Sequence, residues 1–392
     1  VTFTVDTTDG GNVDEDTDVA YTLTGLQSAD IAADSLTGSV TVAAESNSAT
    51  FTVELLEDAS DLEGEETLTA TLDDFTDETV DVTVNDTSIA GNTVVLTTAD
   101  DTVGPDVESE DLQTSANGDT IQGVYSGLSS EQTFNNTDVI DGGGSTDTLE
   151  LTMSSNFGGF GTDGSMTSVE ILDLENDSSL SRTFDATGVD GVETIMIDAN
   201  DQDFTVKDLA DINLSVEVSN ADGNNDITLA YGSEVASGTA DTLTATLNDV
   251  GAAKTTTAAE KQMTLTSTDV ESLTIVSKGT ANYADLSGVD DATDLTVSGS
   301  GDLKVTDAGA SVAEFDAGEA TGDVDLDLAG STFKAGTFGS GDDKLTTDAL
   351  KVDFTLTGGE GDDELEVKDI GADDTLAPTM TGVETLNFVE QT

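Results

Sequence analysis

The sequence predicts an all-β protein: an N-terminal β-sandwich followed by a parallel β-helix or β-roll-like solenoid. Three observations carry that expectation. Val, Ile, Leu, Phe and Thr alternate with polar residues at period two along nearly the whole chain, while helical periodicity is scarce. Proline occurs only at Pro105 and Pro378, so Gly, Asp, Asn, Ser and Thr must make the turns. A phrase Val-Glu-x-U-x-U, with U apolar, recurs four times after residue 165 at spacings that suggest stacked rungs.

The first region, 1–87, reads as short strands at 2–6, 19–26, 38–44, 49–56, 65–73 and 79–85. Turn signals separate them, for example at Asp9-Gly10-Gly11 and Glu63-Gly64. So many strands in so few residues imply an antiparallel sandwich. The runs ATFTVEL at 49–55 and LEGEETLT at 62–69, with VDED at 13–16 before a strand, resemble the Calx-beta type of immunoglobulin-like module. That resemblance implies calcium held by acidic turns at one end, with Asp58, Asp61, Glu63 and Glu65 as the candidates. The alternative is that these are solvated loop charges.

The second region, 88–165, is expected to be a calcium-binding β linker. It holds NGDTI at 117–121 and DGGGSTDTLEL at 141–151. Both are degenerate forms of the nonapeptide G-G-x-G-x-D-x-U-x, and they offer Asp119, Asp141 and Asp147 as ligands. Ser145 stands where the motif wants its third glycine.

The third region, 166–392, is expected to be the solenoid. The four phrases begin at Val169, Val192, Val270 and Val383. Their apolar offsets 0, 3 and 5 cannot share one face of a straight strand, so the chain must bend between the first and the others. Leu172 to Ile195 is 23 residues, on to Leu214 is 19, Leu273 to Leu295 is 22, and on to Phe315 is 20. A period near 20 fits stacked rungs, none of which buries its apolar face alone. A string of small sandwiches is the alternative.

The sharpest motif is GGEGDDELE at 358–366, which fits the nonapeptide at every fixed position. GSGDDKL at 339–345 fits from the second glycine onward, with Phe338 in place of the first. Glycines permit a tight turn that offers carbonyl oxygens, the Asp adds a carboxylate, and the apolar eighth position starts the next strand. Calcium takes six to eight oxygen ligands, so two stacked turns could share an ion. Asp343 and Asp363 are 20 residues apart, one rung, and are the expected carboxylate ligands. Carbonyls of Gly339, Gly341, Gly359 and Gly361 would complete the shell, with Asp342 and Asp362 beside them.

This motif resembles the repeats-in-toxin (RTX) class. With the Val-Glu phrases and the Thr-rich, Cys-free composition, residues 88–392 are similar to RTX-related bacterial surface-layer proteins. The resemblance implies type I secretion, folding outside the cell on calcium, and calcium-linked self-assembly at the cell surface. A cell-surface glycan would be the anchor. A segment of a secreted RTX adhesin or biofilm-matrix filament is the alternative. The chain opens at Val1 in what reads as mid-strand, as a processed or partial chain would.

Charge points the same way. The chain carries 82 Asp and Glu against 10 Lys and Arg, a formal net charge of −72. Self-repulsion of that size opposes compaction, and divalent cations would offset it, so folding is expected to depend on calcium. Adaptation to high salt is the competing explanation. Nucleic acid and anionic membranes would be repelled, and no apolar run is long enough for a spanning helix. Without Cys or His, the usual nucleophile–base pairs are missing, and zero Trp argues against sugar clefts. No enzymatic role is expected.

Overall fold

A computed structural model of the chain describes residues 2–7, 11–25, 37–53, 66–72, 75–84, 91–233, 235, 240–289, 291–331, 333–348, 350, 353–368 and 378–389. They divide into two compact units, Val1–Gly91 and Asn92–Thr392. The candidate ligands Asp58, Asp61, Glu63 and Glu65 lie outside the described residues.

The first unit is antiparallel. Strands Thr2–Asp6 and Ser48–Thr52 form one pair. Thr37–Val42, Thr17–Thr24, Glu66–Leu72 and Phe75–Val84 form a four-stranded sheet in that spatial order. Alternation puts Phe3, Leu23, Val53, Leu68 and Ala70 into a common core, with Tyr21, Phe51 and Val82 packed on it. The Phe51 ring stacks on both sheets at once, 5.1 Å from Phe3 and 3.8 Å from Tyr21. The sandwich expected from the sequence is therefore closed largely by aromatic area.

The second unit is a parallel solenoid. Sheet A has thirteen described strands, from Thr93–Val95 to Thr379–Thr381. Sheet B has ten, from Arg182–Asp185 to Thr385–Phe388, and sheet C has three, Thr102–Val103, Val139–Asp141 and Ser165–Thr167. The chain visits sheet A once per rung and crosses to C in the early rungs and to B in the later ones. Parallel pairing throughout excludes a string of small antiparallel sandwiches in this unit. It also places residues 92–165 of the region 88–165, expected to be a calcium-binding β linker, in the first rungs of the same sheets.

Inward residues stack in columns. One runs Val94, Ile121, Leu149, Leu172, Ile195, Val216, Ala245, Ile275 and Val297 along sheet A, each facing its equivalent one rung on. All are buried, and they belong to one continuous core. A rung has no second layer of its own, so its apolar face is covered only by the opposite sheet and by its neighbours. The register differs from expectation at one point. Ile195 faces Val216, not Leu214, which faces Leu243 in another column. The two-residue shift costs nothing in burial, because it leaves every side chain on the same face.

Candidate functional site

The corners between sheets decide where the acids go. Turns 338–343 and 358–363 occupy consecutive A-to-B corners: Thr337 faces Thr357 before them, and Leu345 faces Leu365 after them. Asp343 and Asp363 end these turns, each 1% exposed. Asp343 Oδ1 accepts the Val324 amide (2.7 Å), Asp363 Oδ1 accepts the Asp343 amide (2.9 Å), and the Asp363 amide donates to Glu384 Oε2 (2.9 Å). Each carboxylate thus hangs on the backbone of the rung before it. The second oxygen, Oδ2, of both Asp343 and Asp363 is buried with no hydrogen-bond partner.

The neighbouring Asp342 and Asp362 point outward and form a second ladder of opposite direction. Asp323 N donates to Asp302 Oδ1 (3.1 Å), Asp342 N to Asp323 Oδ1 (2.8 Å) and Asp362 N to Asp342 Oδ1 (3.0 Å). The glycines let the rungs approach. Gly361 has φ +123°, and a Cβ there would collide with Gly341 O. A Cβ on Gly359, φ +105°, would collide with Gly339 O, which accepts the Glu360 amide (3.0 Å). Carbonyls of Gly339 and Gly341 therefore point along the stack toward the next rung.

The turn 141–147 repeats this construction at a C-to-A corner. Asp147 is fully buried; its Oδ1 accepts the Asp119 amide (2.7 Å), its amide donates to Glu170 Oε2 (2.8 Å), and its Oδ2 has no partner. Ser145, where the motif wants glycine, adopts φ +73°, the left-handed conformation glycine would supply without strain. The other two candidates here behave differently. Asp119 uses both oxygens on its own loop and on Asn92: Oδ2 accepts the Ser115 amide, and Oδ1 accepts the Ser115 hydroxyl and the Asn92 amide. Asp141 Oδ1 accepts the Gly143 amide (3.2 Å). An open depression lined by Asp141, Gly143, Gly144 and Ser168 lies beside this turn.

Burial dominates the electrostatics. It pushes the Asp147 carboxyl up to about 7, with Asp119, Glu170 and Asp141 adding repulsion against the hydrogen bond from Asp119 N. It pushes Asp343 up to about 6, where Asp363 and Asp323 add to it, and it raises Asp363, where Glu384 adds to it. Such carboxylates favour a proton or a cation at the unpaired oxygen.

One part of the site was missed in the sequence: the Val-Glu phrase builds the same corner. The residue two before its acid is left-handed in all four copies, at Ser168, Gly191, Asp269 and Gly382, as Ser145 and Gly361 are before Asp147 and Asp363. Three of the four glutamates accept the amide of an Asp one rung earlier: Glu170 from Asp147, Glu271 from Asp241 and Glu384 from Asp363. Asp241 also has a buried Oδ2 without a partner. The available signal was spacing, since acid and apolar residue stand two apart in both Asp-x-Leu and Glu-x-Leu.

Among the described residues no three acidic side chains gather into one metal-binding group. A cation at these corners would have to take one or two carboxylates and complete its shell from carbonyls and water, a donor set that suits calcium. The buried unpaired oxygens of Asp147, Asp343 and Asp363 fit such an ion. No family model matches the sequence, and no curated protein matches it either.

Proposed function

We propose that this chain is a calcium-dependent structural protein of the bacterial cell surface, secreted by the type I route, that self-assembles into a surface layer and has no catalytic role. The observation that carries the reading is the set of buried, unpaired carboxylate oxygens at Asp147, Asp343 and Asp363 inside glycine turns of the solenoid, in a chain with a formal net charge of −72. Calcium bound there would join consecutive rungs and offset repulsion, so the ion would stabilise the fold outright. The sequence resemblance to RTX-related layer proteins supports the location and the assembly, and the all-β solenoid suits a structural, self-associating role.

The test is a calcium titration of the pure protein, read by circular dichroism and by electron microscopy of the same samples. The reading expects β-content to rise and regular sheets to form, both reversed by chelation. A monomer that folds on calcium without assembling would mark an adhesin segment instead. A chain that folds in sodium chloride and ignores calcium would reduce the acidity to salt adaptation and overturn the reading.

A further inference from the structure

We infer that the Val-Glu phrase is the closing half of a calcium site: Glu170 completes a site begun by Asp147, and Glu384 completes one begun by Asp363. The inference rests on the glycine turns being calcium sites, and it extends that reading to residues outside every nonapeptide turn.

The same construction occurs twice, 216 residues apart and at different corners. Asp147 and Asp363 are each at most 1% exposed, with Oδ1 hydrogen-bonded to the previous rung and Oδ2 unpaired. In both turns that Oδ2 faces the first glycine, Gly142 or Gly358. In both, a Cβ on this glycine would also collide with a carbonyl oxygen of the following rung, Ser168 O or Gly382 O. So an unpaired carboxylate oxygen and a carbonyl oxygen converge on one spot beside a glycine that keeps it open. Two acceptors facing each other without a donor repel unless a cation or a proton comes between them.

The glutamate supplies the third oxygen. Ser168 and Gly382 are left-handed, φ +53° and φ +65°, and two residues later Glu170 or Glu384 accepts the Asp amide through Oε2. That bond holds its carboxylate beside the Asp carboxylate and leaves Oε1 for a ligand. Without a cation, each buried Asp carboxylate faces a like charge, on the half-buried Glu170 or the exposed Glu384. Within the 343–363 stack the equivalent place is filled by Asp363, whose Oδ1 accepts the Asp343 amide. Val-Glu therefore caps a stack where no further glycine turn follows. Hard oxygen donors of this kind select calcium over transition metals.

Glu193 is the internal control. It follows the left-handed Gly191 and has the same apolar spacing, but the rung before it offers Glu170, whose carbonyl receives the Glu193 and Thr194 amides. No buried, unpaired Asp oxygen lies beneath it among the described residues.

The experiment is equilibrium dialysis of the full chain against radioactive calcium, with folding at saturating calcium checked by circular dichroism. Glu170→Gln and Glu384→Gln keep the oxygen that accepts the Asp amide and remove the charge. Each is expected to lose one bound calcium, or to bind it about tenfold or more weaker, while Glu193→Gln changes nothing. Glu384→Asp retains a carboxylate like that of Asp363 in the rung below and is expected to keep the site, which guards against a Gln variant that misfolds. Calcium number and affinity unchanged in both Gln variants, or a site lost in Glu384→Asp as well, would overturn the inference. If Asp363→Asn loses a calcium and Glu384→Gln does not, the calcium reading survives and this inference falls. If the unaltered chain binds no calcium, both fall.

Discussion

At the A-to-B corner two aspartate ladders run side by side from adjacent residues, and they have opposite physics. In the inner ladder Asp343 and Asp363 are buried and lead to the exposed Glu384, the acceptors lie one rung ahead, and each Asp keeps one oxygen unpaired. The outer ladder, Asp302, Asp323, Asp342 and Asp362, lies in solvent with acceptors one rung behind. Both tie rung to rung through a carboxylate and a backbone amide. Only the inner one carries a desolvation cost that something must offset. An Asp-Asp pair at a solenoid corner thus divides its work: the first residue is a solvated clip and the second a buried ligand candidate.

The largest expected effect separates the two by truncation. Asp343→Ala strips the buried Val324 amide of its acceptor and leaves a hole in the corner, which costs about 2–4 kcal/mol in calcium. Asp342→Ala removes a bond to Asp362 N that water can replace, so its cost is much smaller. Denaturant unfolding of both variants in saturating calcium checks this. Equal losses would mean that the inner ladder is no more than a hydrogen-bond clip.

Neutralisation sharpens the contrast, because its sign depends on the ion. In calcium-free protein burial holds Asp147 at about 7 and Asp343 at about 6, against an ordinary 3.8. The folded state then keeps protons that the unfolded chain has shed between about pH 4 and pH 7, so stability falls as pH rises through that window. Asp343→Asn and Asp147→Asn fix the neutral form. In chelator at pH 8 each is expected to raise the melting temperature above that of the unaltered chain and to flatten its pH dependence. In calcium the order reverses, since the amide is a poorer ligand. A variant whose offset from the unaltered chain is the same with and without calcium would show that no ion sits on the inner ladder.

Much of this architecture was legible before any coordinates. Period-two alternation located Thr2–Asp6 to the residue, and the 22- and 20-residue spacings gave the true register of Leu273, Leu295 and Phe315. Those signals survive because burial on one face fixes parity and stacking fixes the period. Short strands erased the signal elsewhere. Thr102–Val103 and Val139–Asp141 are too brief to show alternation, so the region 88–165 read as a β linker, although its residues 92–165 are rungs. Charge alone does not show which carboxylate is buried. Asp119 and Asp147 both precede an x-apolar pair, yet Ser115 and Asn92 satisfy both oxygens of Asp119, while Oδ2 of Asp147 has no partner. That difference lies in a loop that no spacing rule encodes. The shared corner of Val-Glu and Gly-x-Asp was hidden for a further reason: a left-handed φ is visible in a glycine and invisible in Ser168 or Asp269.

The smallest effect belongs to the outer ladder. Asp342→Asn keeps Oδ1 as the acceptor for the Asp362 amide and deletes one of four like charges stacked along the corner. The bond survives and repulsion falls, so the variant is expected to be slightly more stable than the unaltered chain, by up to about 0.5 kcal/mol at low salt. At high salt screening removes the gain, because these charges are solvated and the Debye length shrinks to about 3 Å at 1 M. The same substitution one residue on, Asp343→Asn, should be nearly indifferent to sodium chloride and strongly dependent on calcium. Thermal melts of the two variants across sodium chloride, with and without calcium, compare the ladders directly. If both variants follow sodium and neither follows calcium, the two ladders are one diffuse acidic surface, and the division of labour between adjacent aspartates disappears.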